Sequence, residues 1–87
     1  MYIILVYDIN VKRVTKALKA CRQYLNWVQN SVFEGELTAA KLKELKIRLK
    51  DLMKEKEDSI LIYKLKEQRH VVREVLGQER NPTEQFL

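Results

Sequence analysis

Apolar residues fill the start of the chain without a break, Tyr2-Ile3-Ile4-Leu5-Val6-Tyr7, and the run stops at Asp8. A continuous stretch of β-branched and aromatic side chains, with no alternation, predicts a strand covered on both faces. Asp8-Ile9-Asn10 then turns the chain, and over residues 11–24 the period changes. Val14, Ala17, Leu18, Cys21 and Leu25 recur at helical spacing, with Lys12, Lys16, Lys19 and Arg22 or Gln23 on another face.

The stretch from Asn26 to Leu37 returns to β-forming residues broken by polar turn formers. It reads as two short strands with Gln29-Asn30-Ser31 as the bend and Val32-Phe33-Glu34-Gly35-Glu36 as the second strand. Gly35 there marks a bulge or a close backbone approach. Thr38 suits a helix N-cap, and Leu42, Leu45, Leu49 and Leu52 step by three and four along a helix ending near residues 54–56. That stripe is too short for a coiled coil and reads as core. A second apolar strand follows at Ile60-Leu61-Ile62-Tyr63-Lys64-Leu65, and a further candidate at Val71-Val72-Arg73-Glu74-Val75-Leu76. Strand, helix, strand, strand, helix, strand is the order of the α+β, ferredoxin-like βαββαβ arrangement, an antiparallel sheet with both helices on one face. The segment 71–76 exceeds what that fold needs, and an additional C-terminal strand is suited to the sheet edge of a second protomer. Residues 1–77 form the expected domain, and 78–87 a polar tail that frays or docks Phe86 and Leu87 on a partner.

Composition constrains what such a domain does. Eighty-seven residues make one small domain with limited burial, so association with a second copy would add stability. The apolar runs are too short to span a bilayer and the start lacks a basic signal-peptide region, which predicts a cytoplasmic protein without a membrane role. One cysteine, Cys21, makes no internal disulfide, and with His70 alone beside it no zinc-ligand spacing exists; Cys21 is expected to pack as a small apolar residue. The excess of 17 Lys and Arg over 12 Asp and Glu gives +5, and points to an anionic partner, nucleic acid first. The row Lys12, Lys16 and Lys19 is either a solvated helix surface or a track of phosphate contacts.

The residue with the most chemistry to explain is Asp8. Either it or Asn10 caps the following helix, or an acid at the mouth of a buried strand serves a reaction. Glu34 and Glu36 reach it only from an adjacent strand, and no His, Lys or second acid is spaced as a general base.

The segments Ile4-Leu5-Val6-Tyr7-Asp8-Ile9, Val28-Gln29-Asn30-Ser31-Val32-Phe33-Glu34-Gly35-Glu36-Leu37, Asp58-Ser59-Ile60-Leu61-Ile62-Tyr63 and Val75-Leu76-Gly77 resemble, in order and spacing, the CRISPR-associated Cas-two family of spacer acquisition. The resemblance spans residues 2–77. It implies a ferredoxin-like homodimer whose C-terminal strand is exchanged between protomers. The family is described both as a metal-dependent endonuclease on RNA or DNA and as the centre of the CRISPR integrase complex. By the same resemblance Asp8, paired with its symmetry mate, holds Mg²⁺ or Mn²⁺, and Tyr7, Ser31 and Phe33 match positions flanking that site. Two carboxylates facing each other suit Mg²⁺, which keeps several waters and is commonly held by one or two carboxylates plus phosphate. One departure stands out: the family often carries an Arg before the Val-Gln pair, where this chain has Trp27, so that Lys12 or Arg13 would have to supply the missing cation.

Two functions follow. The dimer is a phosphodiesterase with Asp8, Tyr7, Ser31 and Phe33 at its catalytic site, or a non-catalytic adaptor that grips double-stranded DNA through Lys12, Arg13, Lys16 and Lys19 and docks the integrase subunit. Single-stranded RNA is the other expected substrate.

Overall fold

The computed structural model describes residues 1–81. The chain runs β1 (Tyr2–Asp8), α1 (Val11–Arg22), β2 (Asn26–Gln29), β3 (Val32–Glu36), α2 (Ala39–Leu52) and β4 (Ser59–Leu65), followed by a single 3-10 turn at Gln68–His70. The sheet order is β2-β3-β1-β4, antiparallel at each step, which is the ferredoxin-like topology. Both helices cover the same face because each crossover skips one strand, in opposite lateral directions and from oppositely directed strands. A common right-handed crossover therefore puts both on one side.

That side is the core. Ile3, Leu5 and Tyr7 of β1 and Phe33 of β3 alternate inward and meet Ala17, Ala20 and Cys21 of α1 and Leu42, Leu45 and Leu49 of α2. Leu42, Leu45 and Leu49 are buried at the predicted spacing and Leu52 partly so, and Thr38 caps that helix, its Oγ1 accepting from Lys41 N–H at 3.1 Å. Gly35 lies on the same face opposite Ile3. A Cβ there would lie 3.3 Å from the Leu25 side-chain atom Cδ2 and 3.7 Å from Leu25 Cα, so Gly35 leaves room for a side chain and not for a close backbone approach, and the irregular pairing falls in β2 between Trp27 and Gln29. Asn30 takes φ 44° in the β2–β3 turn, a left-handed conformation that asparagine tolerates.

Two further expectations change. The opening strand was expected to be covered on both faces, yet its alternate residues Ile4 and Val6 lie on a sheet face without helices, beside Leu61 and Tyr63, which are 53% and 55% exposed. In addition, 71–76 forms no strand within this chain. A strand needs a neighbour to take its backbone hydrogen bonds, and none is supplied here. The segment instead passes near β2 and β3, where Arg73 pairs with Glu34 and Asn81 Nδ2 donates to Trp27 O at 2.6 Å. Phe86 and Leu87, expected to dock on a partner, lie outside the described residues. No helix among the described residues is long and apolar enough to cross a membrane.

Candidate functional site

The end of β1 is built by three hydrogen-bonded connections. Tyr7 N–H donates to Ser31 O at 3.1 Å, fastening the strand to the β2–β3 turn. On its other side Asp8 pairs across the ladder with Ser59 at the start of β4. Two residues on, Asn10 caps α1: its Oδ1 accepts from Lys12 N–H at 3.0 Å. The capping alternative therefore belongs to Asn10. Asp8 is exposed, and no hydrogen bond or ion pair engages its carboxylate among the described residues.

Side-chain alternation divides the four residues expected at a catalytic site. Asp8 faces the open side of the sheet with Val6 and Ser59. Tyr7 and Phe33 face the helices, both buried, with ring centroids 6.1 Å apart at 27°. They form the packed floor under the strand end, on the other side of the sheet from the carboxylate. Burial pushes the Tyr7 phenol above its ordinary value, which keeps it a neutral hydroxyl. Ser31 contributes its backbone carbonyl to β1, as a turn residue does.

Of the four basic residues expected to touch nucleic acid, three have no side-chain partner among the described residues. Lys12, Lys16 and Lys19 are exposed on α1, and at about 100° per residue they fall within roughly 60° of one another. Arg13 turns inward. Its Nε donates to Asp58 Oδ2 at 2.7 Å and Nη2 to Asp58 Oδ1 at 3.0 Å, with Glu57 Oε1 3.3 Å from Nη2. Arg13 is thus committed within the protein instead of being offered to phosphate. Trp27, at the position where a cation was missing, is half-buried, and its Nε1 donates to Asn30 O at 3.0 Å.

Asp58, whose side chain is 0% exposed, was not singled out from the sequence. Besides the Arg13 fork its carboxylate accepts from Asn10 N–H and Lys54 N–H, each at 2.8 Å. The Arg13 guanidinium foremost, then these two amides, hold its carboxyl well below the usual carboxylate range against the opposing effect of burial. An acid between a helix and a strand reads locally as a turn residue. Its partner 45 positions away gives no spacing signal.

A divalent cation would find hard oxygen donors at this strand end, Asp8 first and the Ser59 hydroxyl across the ladder, and no thiol or imidazole. No cluster of three His, Cys, Asp or Glu residues exists among the described residues, so one chain supplies a single free carboxylate here. Glu34 and Glu36 do not add to it. Glu34 is opposite Ile4 and paired with Arg73, and Glu36 lies at the other end of the strand, accepting from the Met1 ammonium at 2.9 Å. His70 is exposed in the 3-10 turn beyond β4.

The chain is thus a small ferredoxin-like α+β domain with three exposed lysines on α1 and, among the described residues, one carboxylate without a partner where the first strand leaves the sheet. Its sequence is narrower than that. The family model for CRISPR associated protein Cas2 matches residues 1–71. The chain is 51% identical over 87 residues to the CRISPR-associated endoribonuclease Cas2 of Pyrococcus furiosus, and 45% identical over 87 residues to that of Dictyoglomus turgidum, with all of each chain covered in both cases. Among solved structures, a crystal structure of a Cas2 protein superposes with a TM-score of 0.88 at 49% identity, covering 94% of this chain and 92% of that one. Streptococcus pyogenes Cas2 gives 0.75 at 40% identity, covering 88% and 100%. The chain is a member of the Cas2 family.

Proposed function

We propose that the protein is a divalent-metal-dependent endonuclease of CRISPR adaptation, acting on RNA phosphodiesters as a homodimer with Asp8 as the metal-binding residue. The observation that carries this reading is the free Asp8 carboxylate on the open face of the sheet, beside Ser59 and clear of the cap that Asn10 supplies. The relatives' description as endoribonucleases supports RNA as the substrate class. Bound there, Mg²⁺ would neutralise phosphate charge and lower the pKa of a coordinated water. Asp8 would hold that ion, and Ser59 offers a hydroxyl to the substrate. Lys12, Lys16 and Lys19, exposed on α1, raise the local concentration of the polyanion around the domain. Tyr7 and Phe33 act by packing, keeping the strand end rigid.

The homodimer reading rests on two apolar surfaces. Leu61 and Tyr63 are exposed on the helix-free sheet face, and Val72 and Leu76 are 86% and 96% exposed on the unpaired segment. Stacking two open faces would bury the first, and passing 71–76 to the partner's sheet would give the second its hydrogen-bonding neighbour. Two copies of Asp8 would then lie on facing surfaces.

The alternative, a non-catalytic adaptor that binds double-stranded DNA and an integrase subunit, is favoured by a different observation. The exposed lysine row is on α1, and no general base accompanies Asp8 among the described residues. Cleavage of labelled single-stranded RNA and duplex DNA with Mg²⁺, Mn²⁺ or EDTA, comparing the parent with Asp8→Ala, tests both. Metal-dependent cutting lost in the variant supports the nuclease. Absent cutting, or equal cutting by both proteins, leaves the adaptor.

A further inference from the structure

The buried Arg13–Asp58 pair sits at the junction of three segments that meet around Asp8. Asp58 directly precedes Ser59, the cross-strand neighbour of Asp8. Through the Asn10 amide it grips the chain two residues beyond Asp8, and through the Lys54 amide it closes the connection between α2 and β4. Arg13, in the first turn of α1, delivers both of its Asp58 contacts from the far side of the same junction. A carboxylate has four lone-pair sites, and all four contacts here come from groups within 3.0 Å.

We infer that Asp58 and Arg13 are positioning residues for the Asp8 site: they fix the exit of β1 and the entry of β4, and so fix the carboxylate and the Ser59 hydroxyl relative to each other. The physical case is one of constraint. Among the described residues the Asp8 side chain has no partner, so its aim is set by its backbone. That backbone is held by the ladder on one side of the residue and by the Asn10–Asp58 bond on the other. The connection to α1 is only Ile9 and Asn10; Ile9 is anchored in the core, and the Asn10–Asp58 bond sets the direction in which the chain leaves the strand. Arg suits the task because its planar fork engages both carboxylate oxygens at once, which Lys does not do. The role rests on the reading of Asp8 as the metal-binding residue, and it withdraws Arg13 from the phosphate-contact row.

The test uses the full chain, Asp58→Asn, Arg13→Lys, Asp8→Ala and Leu42→Ala. The last is a core substitution in α2, away from the strand end, that lowers stability without touching the junction. All are assayed at a temperature where melting curves show each folded. In single-turnover RNA cleavage with Mg²⁺, Asp58→Asn is expected to lower the saturating rate by about 10- to 100-fold with half-saturating RNA unchanged, and to weaken Mn²⁺ binding, read by paramagnetic resonance, by a similar factor. Arg13→Lys should fall between it and the parent, and Leu42→Ala should match the parent. Amide hydrogen exchange at Asp8 and Ile9 reads the constraint without activity or metal, and should be about tenfold faster in Asp58→Asn than in Leu42→Ala. Parent-like rate, Mn²⁺ binding and exchange in the folded Asp58→Asn and Arg13→Lys variants would overturn the inference. So would a loss of the same size in Leu42→Ala. If Asp8→Ala cuts as well as the parent, it is the nuclease reading that fails, and the exchange comparison still decides whether the junction holds the strand end.

Discussion

Asp8 and Asp58 are both aspartates at the same end of the sheet, and their surroundings give them opposite roles. Asp8 is exposed and has no side-chain partner among the described residues, so Asp8→Ala should leave thermal unfolding within about 0.5 kcal/mol of the parent while removing metal-dependent cleavage. Asp58 is buried and fully engaged, so Asp58→Asn should lower the melting temperature at neutral pH. Because its folded carboxyl titrates below the unfolded value, the stability it contributes is fully present above the ordinary aspartate pKa of about 3.9 and is lost as the pH falls below it. Melting curves from pH 7 to pH 2 should therefore show the gap between parent and variant shrinking only under acid conditions. Cys21 offers a third check. Burial pushes its thiol up to about 12, so iodoacetamide at pH 8 should label it only after denaturation.

At the scale of elements, the same heptad-like spacing serves two purposes. The α2 leucines are core, and Leu45→Ala, at a position with no exposure, should cost about 2–5 kcal/mol by urea unfolding. The exposed α1 lysines make no side-chain hydrogen bond or ion pair among the described residues. If they contact phosphate, Lys16→Glu with Lys19→Glu should reduce the slope of log affinity for nucleic acid against log salt by about 1.4–1.8. An unchanged slope would assign the row to solvent. β4 links the two scales: its inward residues Ile60 and Ile62 pack on the core, while Leu61 and Tyr63 face the side left open.

For the whole molecule, the open sheet face and the unpaired 71–76 segment make association the expected state. Sedimentation velocity should find a dimer at micromolar concentration and Leu61→Glu should shift it to monomer. If one metal site is shared by two copies of Asp8, mixing parent and Asp8→Ala subunits in equal amounts, with exchange, leaves about one quarter of the dimers intact. Activity should then fall to about that fraction of an unmixed parent sample of the same total protein, whereas independent sites would retain about half.

The order of the elements was legible because each is written in short-range pattern: the β-branched run of β1, the three-and-four spacing of α2 and the Thr38 cap. Asp8 was legible for the same reason, as an acid that interrupts an apolar run. Side-chain direction was not. The continuous run from Tyr2 to Tyr7 carries no alternation, so only the sheet register reveals that Tyr7 and Phe33 pack under the helices while Asp8 faces the open side. Arg13 looked like one member of a basic row, since its distinguishing contact is an aspartate far along the chain. Local sequence determined which segments are able to become strands and helices, 71–76 included, and which residues are able to carry charge to a surface, because those are properties of a few neighbouring residues. Tertiary structure alone decided which charges are bound and which are free, because the pairing of Arg13 with Asp58 exists only once β4 returns beside β1.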